Sequence, residues 1–175
     1  GTVYSLWASG RNELWAGSYG AAYHWDGTSL TRLSFGVSGA VSALWGSASN
    51  DVWLGGSLST IYHWNGTSLS GFGIPGSIYA LWGFSASNVW ASGTGGAIYR
   101  WNGTSWTAGT GVSGDTLGSL WGTSSSDMWG AGSAIWHWNG TSWANTLDTG
   151  NNFSGIWGSS TSDMSAIAQL GEKLF

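Results

Sequence analysis

The chain has 175 residues, including 16 Trp and 31 Gly, with only 7% charged residues and a formal net charge of −4. So many aromatic residues exclude a disordered chain, and four scattered Lys and Arg residues exclude the basic surface that nucleic-acid binding requires. No apolar run approaches the roughly 20 residues of a membrane span, and the absence of Cys excludes disulfides and cysteine-ligated metals. The abundance of Gly, Ser, Thr, Asn and Trp favours an extracellular or cell-surface protein.

A repeat of 36–39 residues runs along the chain and is marked by tryptophans. The first marker follows a Leu or Ile: Trp7, Trp45, Trp82, Trp121 and Trp157. The second marker comes eight residues later: Trp15, Trp53, Trp90 and Trp129, with Ser165 in the last copy. The third marker is Trp25, Trp64, Trp101 and Trp138, with Phe175 in the last copy. We therefore predict one domain over residues 1–175, with repeats at about 1–38, 39–76, 77–114 and 115–151 and a partial repeat at 152–175.

Each repeat predicts four short β-strands, because aromatic and β-branched residues cluster in segments that Gly, Ser and Asn separate. In the second repeat these segments are 43–46, 51–56, 60–64 and 67–72. Folding the first two about Ser49 places Trp45 opposite Trp53 on one face, so their indoles should touch. Val52 and Leu54 then point to the other face. A sheet with two apolar faces must be covered on both sides.

Sheets of this kind that repeat at a fixed period indicate a β-propeller, an all-β fold whose four-stranded antiparallel blades each pack between two neighbours. About 4.5 repeats indicate five blades, or part of a larger or shared ring. An incomplete fifth blade would leave an exposed strand edge, which proteins normally pair or cover. Self-association through this blade is therefore one expectation.

The stretch Trp-Asn-Gly-Thr-Ser recurs between the third and fourth strands, with Asp in place of Asn in the first copy. Asn-Gly and Asp-Gly are typical of two-residue hairpin turns in which both residues have positive φ. The first copy carries Asp26 where the others carry Asn65, Asn102 and Asn139. The shared feature is therefore the turn, and the glycosylation sequons follow from its chemistry.

The run AIYRWNGTSW (97–106) and the preceding NVWASG (88–93) resemble the repeats of tectonin and tachylectin-type propellers. WNGTSW also resembles a degenerate Asp-box of sialidase-type blades, and Trp-rich propeller repeats of bacterial surface proteins are similar too. The resemblance extends to about Asp163. It implies a non-catalytic, lectin-like propeller that binds carbohydrate at several weak, equivalent sites without a cofactor. The alternative is a protein-interaction or self-assembling scaffold, or an engineered repeat protein with no selected ligand.

The two sets of loops differ in how much they vary between copies. Turns between first and second strands are nearly uniform, and their Asp51, Asp127 and Asp163 are expected to bind turn amides. Loops between second and third strands and connections between repeats vary, which favours their face for ligand binding. The candidate ligand-binding residues there are Tyr19, Asp115, Asp148, Asn151 and Asn152. Three further candidates could stack on a sugar ring, because other repeats have Leu or Tyr at these positions: Trp106, Trp136 and Trp143.

One repeat position carries a polar side chain in every complete copy: His24, His63, Arg100 and His137. Arg cannot ligate a metal, and positions one blade apart are too distant to share one, so we expect a polar donor above an aromatic ring.

The few acidic residues sit mostly in turns, and no nucleophile motif is visible, so we predict that the chain is not an enzyme. The expected partners are glycans or another protein surface.

Overall fold

A computed structural model describes residues 1–34, 39–57, 59–148, 150–160 and 162–168, which form five antiparallel sheets in chain order. The first sheet contains β1 (Ser5–Gly10), β2 (Glu13–Ser18), β3 (Ala21–Trp25) and β4 (Leu30–Ser34). The second contains β5 (Val41–Ala48), β6 (Asp51–Gly56), β7 (Thr60–Trp64) and β8 (Leu69–Gly73). The third contains β9 (Ile78–Ser85), β10 (Asn88–Gly93), β11 (Ile98–Trp101) and β12 (Trp106–Ala108), with a short 3₁₀ helix at Thr94–Gly96.

The fourth sheet contains β13 (Ser119–Ser124), β14 (Asp127–Ala131), β15 (Ile135–Trp138) and β16 (Trp143–Leu147). The described part of the fifth contains β17 (Phe153–Ser160) and β18 (Asp163–Ala168). Neighbouring strands in each sheet are consecutive in the chain. The predicted all-β propeller with four-stranded blades is confirmed, and the third strand expected to end at Phe175 lies outside the described residues.

The first strand of each sheet lies on the inside of the array, because β1 packs against β5, β5 against β9, β9 against β13 and β13 against β17. Apolar side chains are exposed on the first and fifth sheets. Leu6 on the first sheet is 63% exposed, whereas its equivalent Leu81 on the third sheet is 7% exposed. Trp157 on the fifth sheet is 60% exposed. Within the described ranges, the chain has no helix with the length and hydropathy that crossing a bilayer requires.

A row of side chains crosses one face of each sheet. In the second sheet Trp45 pairs with Trp53, which confirms the predicted register, and Trp53 pairs in turn with His63. The Trp53 ring stacks on His63 with centroids 4.1 Å apart. The Trp45 ring lies against Gly83 of the next sheet and packs on the core cluster that contains Trp53, while a direct contact between the two indoles stays a prediction. Each row therefore faces the following sheet.

The third-marker tryptophan of each following sheet covers this row. Trp64 packs on Trp15 with ring centroids 5.7 Å apart, and Trp101 packs on Trp53 at 4.8 Å. Trp138 packs on Trp90 at 5.7 Å. Trp15 and Trp53 are fully buried as a result. Burial of indoles at a fixed repeat position is thus what joins one sheet to the next.

The loops between third and fourth strands differ from the predicted two-residue turns. Trp138 pairs with Trp143, which leaves a four-residue loop, Asn139–Ser142. Of the loop residues only the glycine has positive φ, +95° at Gly140. The Asn139 side-chain oxygen instead accepts bonds from the amides of Thr141 and Ser142, both at 3.0 Å. Asp26, Asn65 and Asn102 bind their loops in the same way, so the prediction of positive φ at Asn and Asp is wrong.

We expect Trp53→Ala to lower the free energy of unfolding by about 3–5 kcal/mol, because removal of the indole leaves a cavity between the second and third sheets. Trp157→Ala is the matched control: its indole is 60% exposed, and the loss should stay below about 1 kcal/mol. Guanidinium unfolding followed by far-UV circular dichroism measures both. Equal losses would contradict the proposed role of the buried row.

Gly140→Ala tests the loop. A Cβ at this position would lie 2.9 Å from the Ser126 Cβ, and the φ of Gly140 is +95°. We therefore expect the substitution to lower the free energy of unfolding by about 1–3 kcal/mol. Gly114→Ala is the control, since its φ of +78° is similar but an added Cβ meets nothing within 4 Å. The same unfolding measurement should show a smaller loss for this control. A loss as large as that of Gly140→Ala would mean that backbone strain alone is responsible.

Candidate functional site

A cavity of about 270 Å³ opens where the inner strands of the first four sheets begin. We call it the axial cavity. The same three repeat positions of each sheet line it: 4–6, 42–44, 79–81 and 118–120. None of these residues is charged. Because four sheets contribute equivalent positions, the array forms one shared site at this point.

The position three residues before each first marker gives the axial cavity its chemistry. It carries Tyr4, Ser42, Tyr79 and Gly118, so it varies although it lies at the start of an inner strand. The two Tyr side chains are 48% and 40% exposed. Exposed phenol rings combine an apolar surface with a hydrogen-bonding hydroxyl. The axial cavity can therefore hold a neutral ligand with both apolar and polar groups.

At the next repeat position, two residues before the first marker, serine hydroxyls form hydrogen bonds between neighbouring inner strands. Ser5 donates from its hydroxyl to the carbonyl of Val41 on the next inner strand at 2.8 Å. Ser119 occupies the same repeat position, and its hydroxyl accepts a bond from the amide of Ile156 at 3.2 Å. These bonds join neighbouring sheets beside the cavity. The wall is consequently held by the backbone as well as by apolar packing.

The axial cavity lies on the face that loop variation indicated, because the inner strands begin beside the variable loops. Of the loop candidates, Tyr19 is 62% exposed and its backbone bridges to Ala40, next to the connection between the first two sheets. Tyr19 does not line the cavity. The sequence thus indicated the face but missed the lining residues, whose variation at or just before the start of each inner strand was the available signal.

Asp115 is buried in a structural role. One carboxylate oxygen accepts from the amides of Thr116 at 2.7 Å and Ser133 at 2.9 Å. The other accepts from the amide of Ala134 at 3.1 Å and the indole of Trp136 at 2.8 Å. Burial acts to raise the pKa of Asp115, but these hydrogen bonds outweigh it and lower the pKa below its ordinary value. With four protein donors bound, the carboxylate is engaged within the fold.

The remaining loop candidates lie elsewhere. Asp148, Asn151 and Asn152 follow the last strand of the fourth sheet, and Asp148 accepts a bond from the amide of Gly150 at 2.9 Å. None of them lines the axial cavity. The structure therefore does not bring the candidates of different repeats together.

The three candidate tryptophans belong to the packing between sheets. Trp106 meets Trp53 edge-on at 5.2 Å, and Trp143 packs on Trp138 at 5.7 Å. The indole nitrogens of Trp106 and Trp143 are buried. The Trp136 nitrogen donates to Asp115. These indoles are engaged by the protein itself, which leaves little ring surface for a sugar.

The polar repeat position has the arrangement expected from the sequence, with an acidic or amide partner added. His63 bonds to Asp51 at 2.5 Å while stacking on Trp53, and His137 bonds to Asp127 at 2.7 Å. His24 and Glu13 form the same pair in the first sheet. In the third sheet the guanidinium lies 5.3 Å from the centre of the Trp90 ring and donates to an asparagine amide oxygen at 3.3 Å: Arg100 and Asn88. The side chain at this repeat position is therefore held by hydrogen bonds and ring contacts within its own sheet.

The carboxylates of Asp51 and Asp127 accept bonds from side chains instead of turn amides, contrary to expectation. Asp127 accepts from the Thr123 hydroxyl at 2.6 Å as well as from His137. Burial acts to raise its pKa, but the hydrogen bonds from Thr123 and His137 lower the pKa overall. Asp51 and Asp163 accept from the hydroxyls of serines in their own turns. Among the described residues, no three His, Asp or Glu side chains are placed to hold a metal ion.

A second cavity, of about 340 Å³, lies between the fourth and fifth sheets, and we call it the end pocket. Trp129, Ile135 and Leu147 line it from the fourth sheet. Phe153, Ile156, Met164, Ser165 and Ala166 line it from the fifth. The walls of the end pocket are mainly apolar, unlike those of the axial cavity.

Known structures share this fold at low sequence identity, while no family model and no curated protein matches the chain. YCF48 bound to a D1 peptide is 18% identical with a TM-score of 0.66, over 89% of this chain and 56% of that one. A chain of the mitotic checkpoint complex is 16% identical with a TM-score of 0.80, over 97% and 60%. The extracellular domain assigned to a one-component system of B. thetaiotaomicron is 12% identical with a TM-score of 0.78, over 95% and 26%.

These likenesses define the class of protein as a β-propeller. The chain spans less than two thirds of each of these three proteins. The finer resemblance to tectonin, tachylectin-type or Asp-box repeats stays a prediction from sequence.

Asp115→Asn tests the buried carboxylate. It replaces an anion that accepts four hydrogen bonds, so we expect the free energy of unfolding to fall by about 1–3 kcal/mol at pH 7. The folded-state pKa lies below the ordinary 3.8, so the anion's contribution is present above that value and fades as the pH falls through the folded-state pKa. The stability difference between wild type and variant should therefore narrow between pH 7 and pH 3, as seen in thermal unfolding. Exposed Asp148→Asn is the control, and an equal change there would contradict the assignment.

Proposed function

We propose that the chain is a non-catalytic binding module that holds an uncharged peptide segment of a protein partner in the axial cavity. The observation that carries this proposal is the lining itself: equivalent positions of four sheets converge on one neutral cavity with two exposed Tyr side chains. Two proteins with the same fold are described with a peptide or within a protein complex, which supports the proposal without extending their partners to this chain.

The chemistry of the axial cavity suits a peptide. Tyr4 and Tyr79 offer rigid contact area and hydroxyls at a small cost in side-chain entropy. Leu6, 63% exposed, adds apolar surface to the lining. Without charged groups in the lining, affinity comes from apolar burial and hydrogen bonds, so binding should depend weakly on salt.

Mutations at the two tyrosines test the proposal. Peptides selected from a displayed random library against the immobilised chain are titrated by calorimetry. Tyr4→Ala and Tyr79→Ala should each weaken binding about tenfold, as loss of an aromatic anchor does. Tyr19→Ala is the control, because Tyr19 is also exposed, at 62%, but lies outside the cavity lining. If Tyr19→Ala weakens binding while the cavity variants do not, the site lies on the loops.

Gly118→Trp provides an independent test by filling the axial cavity. A Cβ at Gly118 would come no closer than 3.9 Å to its nearest neighbour, so the fold should accept the substitution. Binding should be lost while thermal unfolding stays unchanged. Gly73→Trp on an outer strand, where an added Cβ also meets open space, is the matched control. Retained binding by Gly118→Trp would contradict occupation of this cavity.

Carbohydrate binding is the second candidate, favoured by the same two exposed tyrosines and the neutral lining. Phenol rings can stack on the apolar face of a sugar while nearby hydroxyls bond to it. The axial cavity is a single shared site, however, which differs from the several equivalent sites that the lectin resemblance implies. A glycan array separates the candidates: sugar binding that Gly118→Trp abolishes, with no selected peptide, would favour the lectin.

A further inference from the structure

The loops between third and fourth strands use the asparagine at their start only as a hydrogen-bond acceptor. In the second loop the Asn65 oxygen accepts from the amides of Thr67 and Ser68 at 3.0 and 2.9 Å and from their hydroxyls at 3.0 and 3.3 Å. Asn139 accepts three such bonds, and Asn102 accepts two, both from amides. Among the described residues, none accepts a hydrogen bond from the side-chain NH₂ group of these asparagines. The loop therefore needs an acceptor at this position and no donor.

Asp26 shows how a carboxylate is held in the same loop. Its two oxygens accept from the amides of Thr28 and Ser29, both at 2.8 Å, and from their hydroxyls at 2.7 and 2.9 Å. The hydrogen bonds from the Thr28 hydroxyl and from the Ser29 amide lower the pKa of Asp26 below its ordinary value. Gly27 has a φ of +92°, and Gly66 in the second loop has a φ of +94°. The glycine thus has the same conformation after Asp as after Asn.

Asparagine is a thermolabile residue, and an Asn that precedes Gly can lose its side-chain amide without an enzyme. The Gly backbone nitrogen gives its proton to solvent and attacks the Asn Cγ, and the Cγ–Nδ2 bond breaks as ammonia leaves. Water then adds to Cγ of the resulting succinimide, the new nitrogen–Cγ bond breaks, and the nitrogen regains a proton. Glycine suits the first step because it has no side chain to hinder its nitrogen. One water is consumed, one ammonia is released, and Asp remains in a normal peptide chain.

The loops place donors where this reaction develops charge. As the Gly nitrogen adds to Cγ, negative charge gathers on the Asn oxygen that the amides of Thr67 and Ser68 already contact in the second loop. Backbone N–H groups aimed at such an oxygen form an oxyanion hole. In the described part of the chain, no hydrogen bond engages the amides of the three glycines that follow Asn: Gly66, Gly103 and Gly140. The three asparagines are also exposed to water. The attacking nitrogen, the leaving amide and the oxygen donors are therefore all available.

We propose that the three Asn-Gly loops are sites of self-catalysed deamidation, in which each loop activates its own asparagine and then binds the Asp product as the first loop binds Asp26. The modified residues are Asn65, Asn102 and Asn139. Each conversion adds one negative charge, so the formal net charge of −4 becomes −7 after all three. The added charges lie beside the turns in which the inner strands end, whereas the axial cavity lies where these strands begin. The modification is therefore independent of the proposed peptide site.

Peptide mapping by mass spectrometry tests the proposal by following amide loss at each asparagine of the folded chain at neutral pH. The reference is the peptide WNGTSW, which has the sequence of residues 101–106 without the fold. We expect the loops to lose the amide about tenfold faster than the peptide, because their donors are already in place. The rates should follow the number of donors, with Asn65 fastest and Asn102 slowest. Asn88, which precedes Val89, is the control within the same molecule and should keep its amide.

Two substitutions separate activation by the loop from the chemistry of the dipeptide. Thr141→Ala removes a hydroxyl that lies 2.8 Å from the Asn139 oxygen, so amide loss should slow about tenfold there. The rates at Asn65 and Asn102 should stay unchanged, which makes these loops the matched controls. Asp26→Asn should create a fourth site, at which Asp returns during incubation.

The Asp product is tested separately by Asn65→Asp, which should not lower the temperature of thermal unfolding at neutral pH. Three results would overturn the proposal. One is amide loss that is slower in the folded chain than in the peptide, and another is an unchanged rate at Asn139 in Thr141→Ala. The third is isoaspartate as the main product, since its extra backbone methylene cannot rebuild the loop that holds Asp26.

Discussion

The whole array depends on one contact, in which a buried tryptophan is held between a polar ring of its own sheet and an indole of the next. Trp53 stacks on His63 at 4.1 Å and meets Trp101 at 4.8 Å. The carboxylate of Asp51 fixes the imidazole in place. The same contact joins the first sheet to the second and the third to the fourth, and the inner strands of these four sheets line the axial cavity.

The fold was predictable because this contact uses residues at fixed sequence spacing. Trp45 and Trp53 predicted the hairpin register, and the second sheet has the predicted strands within about two residues of their bounds. The directions of the side chains were harder to predict from the sequence. The Trp45 ring turns to the next sheet, and in the fourth repeat the oxygen of Asn139 organises a loop that its dipeptide sequence assigns to a shorter turn. Both arrangements depend on contacts that a residue pattern does not contain.

For the candidate site, the sequence predicted only which face of the propeller carries it and not which residues line it. Loop variation indicated that face, but Asp115 in those loops is used to fasten a connection to the next sheet. Of the cavity residues, Tyr4 directly precedes β1 and Tyr79 is the second residue of β9. Whether a residue in that position points to solvent, to a neighbouring sheet or to the axis depends on how the sheets are arranged. A repeat period alone does not supply this arrangement.

The outer faces of the first and fifth sheets are not shaped to fit each other. A Cβ on Gly46 would lie 2.7 Å from the Trp7 ring of the preceding sheet, yet the first sheet carries Ala8 at this position, where it would have to receive Trp157. Ile167 adds a second mismatch: the first two sheets have glycine there, and an added Cβ would lie 2.2 and 2.7 Å from atoms of the next sheet. Docking of these faces in the internal geometry would therefore require backbone shifts, within one chain or between copies.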